Sequence, residues 1–91
     1  MRRTDIEVAR LLEAEAAGIL NIPLDNPYQQ VIALLHATAK RHGKVVVTGV
    51  GKAGDVGRKI VSAWNSTGIS AVFLSPLDAR HGDLGVIGKK D

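Results

Sequence analysis

The stretch KVVVTGVGKAGDVGR, from Lys44 to Arg58, constrains this chain more than any other. The β-branched run Val45 to Thr48 favours an extended backbone, and glycines follow it closely at positions 49, 51, 54 and 57. From there to Ser66 the apolar residues Val56, Ile60, Ala63 and Trp64 recover helical spacing. Strand, glycine loop, helix is the predicted order. It sets the unpaired N–H groups and positive dipole end of a helix beside a loop that a ligand can approach closely, which is where anions bind.

The sequence before the loop is helical. Thr4 and Glu7 have the spacing of a capping box, and the apolar positions from Ile6 to Leu20 predict a first helix over Asp5 to Leu20, ended by Gly18 to Pro23. Its alanines at 9, 14, 16 and 17 suit a close helix–helix contact. Asn26 and Pro27 read as N-cap and first helical residue of a second helix, 27 to 42, with Gly43 as its left-handed terminator. His36 and His42 are six residues apart, off one helical face, so they do not form a metal pair.

After the loop helix, Ser66-Thr67-Gly68 turns into a second apolar run, Ile69 to Leu74, closing a βαβ unit over 44 to 74. Val45 to Thr48 is apolar without alternation, which predicts cover on both faces and an α/β fold with a parallel sheet. Ser75-Pro76-Leu77-Asp78 predicts a short helix from Pro76 to Arg80, and the glycines at 82, 85 and 88 predict a loop beyond it. Two strands make an incomplete sheet. The expectation is one domain or part of one, with residues 75 to 91 as its active-site edge, that buries its helices in a larger domain or by oligomerising.

Composition narrows the function classes. With 45% hydrophobic and 23% charged residues in 91, the chain suits a globular fold. A net charge of +3 spread without a basic stripe, and only three aromatics, argue against a nucleic-acid surface. Cysteine is absent, which rules out thiolate metal sites and disulfides within the chain. No stretch approaches the roughly 18 apolar residues of a membrane span, and MRRTDIEVAR lacks the apolar core of a signal peptide, so a cytoplasmic protein is expected.

Three anions are candidates for the loop. Gly49, Gly51 and Gly54 satisfy G-x-G-x-x-G, but Phe73-Leu74-Ser75 ends the second strand without the acid that holds a dinucleotide ribose. Gly51-Lys52 is followed by Ala53 where a nucleotide phosphate loop needs a Ser or Thr for Mg²⁺. A compact anion such as a sugar phosphate remains, with Lys52 as a point charge.

GKVVVTGVGKAGDVGRKI, then NSTG, an apolar strand and HGDLGVI together resemble the N-terminal half of the sugar isomerase (SIS) domain of D-arabinose 5-phosphate isomerases, over Gly43 to Asp91. The earlier helices fit that family in placement. The resemblance implies a partial three-layer, flavodoxin-like α/β fold and the interconversion of D-arabinose 5-phosphate and D-ribulose 5-phosphate, feeding Kdo for lipopolysaccharide or a capsule. It also implies a cytoplasmic homo-oligomer, dimer or tetramer, with no organic cofactor; no metal is expected, because the zinc-competent histidine of many relatives is replaced by Ser75.

Residue by residue, the resemblance makes Lys52 a catalytic lysine, Gly68 and Ile69 a substrate-contacting pair, and His81 a substrate-binding histidine with a catalytic part. Gly51, Ala53 and Gly54 join Lys52 in the substrate loop. In an enediol route, Lys52 would steady anionic oxygens and His81 would handle sugar hydroxyls or ring opening. Without the family, Lys52 fits a solvated loop lysine and His81 a residue tying its loop, while Asp83 suits a turn.

Three departures accompany the match. Ala53 replaces a loop serine, and Ser75 stands where relatives often carry a zinc-competent histidine. The family's Ser/Thr-rich phosphate loop, its acid–base glutamates, a further histidine and paired CBS modules would lie beyond Asp91, so little isomerase activity is expected of these residues alone. A non-catalytic sugar-phosphate module and a packing fragment are the alternative readings.

Overall fold

The computed structural model describes residues 1–91. It contains α1 (Arg3–Leu20), α2 (Tyr28–Lys40), β1 (Val45–Val47), α3 (Lys52–Ser66), β2 (Ala71–Phe73) and α4 (Pro76–Arg80), then a 3-10 turn at Asp83–Val86. The strands are parallel, Val45 opposite Ala71 and Val47 opposite Phe73, and α3 is the crossover between them. This is the expected partial α/β architecture, two helices followed by βαβ with a two-stranded sheet.

Both strands are shorter than the apolar runs that encode them. The Ile69 N–H donates back to the Trp64 carbonyl at 2.9 Å, so Ile69 belongs to the exit from α3 and not to β2. At the other end the Thr48 hydroxyl, not its backbone, closes the sheet by donating to the Leu74 carbonyl at 2.6 Å. Asn65 acts as a substitute strand on the free side of β2: its amide donates to the Ala71 carbonyl and accepts from the Ala71 N–H, both at 2.9 Å. Two outward-facing backbone groups are thereby paired at a sheet edge.

The three valines of β1 are half-buried, against the expectation of cover on both faces. The packing of α2 explains it. Val31 and Leu35 of α2 face Val45 and Val46 across an apolar hollow of about 370 Å³ that Trp64 and Ile87 also line. Nor do the alanines of α1 make the expected helix contact: α1 buries no residue, and Leu11, Leu12, Ile19 and Leu20 are exposed. No helix is long and apolar enough to cross a membrane.

Helix ends differ from the sequence expectation for local reasons. α1 starts at Arg3 because Asp5, not Glu7, reaches back to the N-cap, accepting the Arg2 N–H at 3.1 Å; Glu7 pairs instead with Arg3 at 3.3 Å. At α2 the N-cap is Pro27, since the Asn26 amide donates to the Pro23 carbonyl at 3.1 Å and so belongs to the preceding turn. α4 spans the expected residues, with Ser75 as N-cap and Pro76 in the first turn.

The end of α2 carries the largest correction. The helix stops at Lys40, and His42, with φ of 58°, takes the left-handed position expected of Gly43. His42 donates to the Ala39 carbonyl at 3.0 Å and Gly43 to the Thr38 carbonyl at 2.9 Å, the paired bonds of a Schellman motif. Gly43 is needed for space instead: a Cβ there would strike the Lys90 carbonyl.

That carbonyl belongs to a segment folded back onto the start of β1. Asp91 accepts the Gly88 N–H at 2.7 Å, the Lys44 ammonium at 2.7 Å and the Lys44 N–H at 3.0 Å, while Arg41 donates to Lys90 at 2.8 Å. These donors, the Gly88 N–H foremost, hold the Asp91 carboxyl well below the usual carboxylate range.

A β-carbon in the left-handed region costs about 1 kcal/mol that glycine avoids. His42→Gly is therefore expected to stabilise the protein by about 1 kcal/mol, read from the midpoint of urea unfolding. A lowered midpoint would contradict this placement of His42.

Candidate functional site

β1 delivers the chain to the loop at the C-terminal edge of the sheet, and α3 begins immediately after it. Gly51 is the N-cap of α3 with φ 62° and ψ −131°, a conformation open in practice only to glycine. It carries no side-chain cap. The first N–H groups with partners are those of Gly54, bonded to Val50, and Asp55, bonded to Gly51. The N–H groups of Lys52 and Ala53 are left as donors at the positive end of a 15-residue helix.

Gly54 and Gly57 do a different job, letting α3 sit close. A Cβ on Gly54 would lie 2.6 Å from the Gly49 carbonyl oxygen, and one on Gly57 would lie 3.0 Å from Val47 Cγ1 and 3.2 Å from the Phe73 ring. Both glycines are buried against the strand and loop they approach.

The loop opens on a cavity of about 210 Å³. Gly49, Val50 and Gly51 form one wall, Phe73 and Ser75 at the end of β2 form another, and Arg58 from the second turn of α3 supplies its charge. The Arg58 guanidinium lies 4.0 Å from the centroid of the Phe73 ring. Arg58 and Ser75 are its polar side chains, and the unpaired N–H groups of Lys52 and Ala53 follow directly after Gly51 of its wall.

The expected site residues divide into two groups. Gly51, Lys52, Ala53 and Gly54 lie together at the start of α3, with Lys52 and Ala53 exposed. His81 caps α4, the helix whose first residues border the cavity, and its N–H donates to the carbonyls of Leu77 and Asp78 at 3.1 Å; its side chain is not part of the cavity wall. Gly68 and Ile69 stand at the opposite end of α3, about 20 Å from the loop at 1.5 Å rise per residue. The structure does not bring them to the loop. Gly68 instead borders a polar hollow of about 420 Å³ with His42, Lys44 and Asp91, where Lys44 and Asp91 are already engaged with each other.

No protein-family model matches the chain. Arabinose 5-phosphate isomerase KdsD of Francisella tularensis is 34% identical over 80 residues, 88% of this chain and 24% of that protein. Arabinose 5-phosphate isomerase GutQ of Escherichia coli is 53% identical over 49 residues, 54% of this chain and 15% of that protein. In the crystal structure of a proposed phosphosugar isomerase involved in capsule formation from Bacteroides fragilis, the match covers 97% of this chain and 46% of that one, with TM-score 0.90 and 39% identity. Over these residues the chain is the N-terminal part of a SIS domain of the arabinose 5-phosphate isomerase family. It spans a quarter or less of the length of these two curated relatives, 24% for KdsD and 15% for GutQ.

Two residues of this SIS segment escape a reading of its motifs. Arg58 counts there only as one of several scattered charges, yet it stands seven residues after Gly51, two helical turns along the same face. That spacing is a usable signal. Asn65 sits within the NSTG motif, but its double bond to Ala71 follows only from where β2 comes to lie.

The Gly54 contact can be tested against helix propensity, which alone favours alanine over glycine by about 1 kcal/mol. Gly54→Ala is expected to destabilise the SIS segment by about 1–2 kcal/mol net in urea unfolding, because the Gly49 backbone has to move. A stabilised variant would mean that α3 does not seat this closely on the loop.

Proposed function

We propose that the glycine loop binds the phosphate end of a sugar in an aldose–ketose isomerisation, D-arabinose 5-phosphate to D-ribulose 5-phosphate. The observation that supports this most is the loop itself: free N–H donors at Lys52 and Ala53 beside a cavity charged by Arg58, in a segment whose named relatives are arabinose 5-phosphate isomerases. Ala53 has no hydroxyl, so the backbone N–H groups carry the loop's part of the binding. Lys52, exposed and outside the ion pairs of the protein, adds positive charge from the mouth of the site.

The isomerisation moves a proton between neighbouring carbons through an enediol, so negative charge builds on the sugar oxygens. In this reading Lys52 stabilises that charge and His81, on the same edge of the sheet, handles a hydroxyl or ring opening. A role in Kdo, lipopolysaccharide or capsule formation, in the cytoplasm, belongs to the same reading. A non-catalytic sugar-phosphate module is the second reading, supported by a cavity wall whose one charged side chain is a guanidinium, a group that binds rather than transfers a proton.

Calorimetric titration is expected to show D-arabinose 5-phosphate binding and phosphate-free D-arabinose binding far more weakly. Lys52→Ala should weaken the phosphosugar about threefold to tenfold, the loss of one solvent-screened charge. Equal affinity for the two sugars would overturn the phosphate assignment, and an unchanged Lys52→Ala would remove the lysine from it.

A homo-oligomer is part of the proposal. The uncovered Leu11, Leu12, Ile19 and Leu20 of α1 support a second copy as the partner, and Gly68 and Ile69 could meet a sugar at the loop only from such a copy. Sedimentation velocity should report a dimer or tetramer that Leu12→Glu shifts towards monomer; a monomeric parent protein would refute this.

A further inference from the structure

We infer that Arg58 is the principal anion-gripping residue of the loop cavity, and that Phe73 is the residue that positions it. Within the proposed function this names the group that holds the phosphate, and it rests on that reading only for the identity of the ligand.

Arg58 is the one cation in the cavity wall; Lys52 lies outside it. Its charge is not spent on a carboxylate, since the ion pairs of the protein are Arg2 with Asp5, Arg3 with Glu7 and Lys44 with Asp91. The guanidinium rests instead on the Phe73 ring, 4.0 Å from its centroid. An aromatic face attracts and orients a cation without neutralising it, so the outer N–H groups stay available.

The ring is itself held in place. Its edge lies 3.2 Å from where a Gly57 Cβ would stand and 3.6 Å from that of Gly54, so the two glycines that seat α3 also set the Phe73 ring. Phe73 ends β2, and Arg58 is one residue past Gly57 in α3. Strand, ring and helix therefore place the guanidinium beside Gly49 to Gly51 before any ligand arrives. A planar fork of donors suits the several acceptor oxygens of a phosphate monoester better than a single point charge would. Preorganisation of this kind reduces the ordering cost of binding.

The test is titration of the full chain with D-arabinose 5-phosphate and, separately, with inorganic phosphate. Arg58→Gln is expected to weaken the phosphosugar about tenfold to a hundredfold, and Arg58→Lys, which keeps the charge and loses the fork, by an intermediate factor. Arg58 is exposed, so neither change opens a core. If Arg58→Gln binds D-arabinose 5-phosphate as tightly as the parent, the assignment of Arg58 is overturned and the sugar-phosphate reading stands. If the parent ignores the sugar phosphate yet binds inorganic phosphate in an Arg58-dependent way, the sugar reading fails and the assignment of Arg58 stands. Binding of neither anion overturns both.

Phe73 is tested by a double-mutant cycle. Phe73→Leu should weaken binding about twofold to fivefold when Arg58 is present and have no effect in the Arg58→Gln background. Equal losses in both backgrounds would show that Phe73 supports the fold and not the guanidinium.

Discussion

The close seating of α3 on the strand–loop unit is the contact on which the rest of the structure depends. Two glycines remove the only atoms that would hold the helix away, Gly54 against the Gly49 carbonyl and Gly57 against Val47 and Phe73. Once α3 lies there, its N-cap Gly51 directly follows the loop, the N–H groups of Lys52 and Ala53 are left without backbone partners, and the Arg58 guanidinium lies over the ring of Phe73. One packing distance therefore sets the crossover, the electrostatics of the loop and the position of its strongest cation.

Polar contacts finish what this thin sheet cannot do by burial. Only Ala71 and Leu74 are buried apolar residues, too few for a core of ordinary size, so edges are closed by side-chain hydrogen bonds. Asn65 pairs the outer edge of β2, Thr48 ties the two strand ends, and Asp91 gathers the Lys44 N–H and ammonium at the start of β1. The apolar faces of α1 and the hollow between α2 and β1 are the counterpart of that small core.

The helices, the two parallel strands, the short α4 and the glycine loop are all legible from residue pattern, because each depends on local preferences: β-branched runs, helical spacing, a proline in a first turn. Details that turn on competition between neighbouring groups are not. Asp5 outcompetes Glu7 for the first turn of α1, and because α2 ends at Lys40 the left-handed position falls on His42, while Gly43 makes room for the Lys90 carbonyl. The candidate site divides in the same way. Gly51 through Gly54 follow from sequence spacing, whereas the place of Arg58 in the cavity wall follows from the contact between α3 and Phe73 of β2.

By itself, the sequence determined that a strand would run into a glycine loop and a helix, and which family shares those motifs. Only the tertiary structure decided which charge stands in the cavity. Lys52 is next to the glycine and looks decisive in one dimension, but it is absent from the cavity wall; Arg58, two turns away, lines the cavity with its guanidinium over the aromatic face of the last residue of β2. Proximity along a chain sets the backbone of a loop. Which side chain faces the cavity depends on the packing of strand against helix, through contacts between residues distant in sequence.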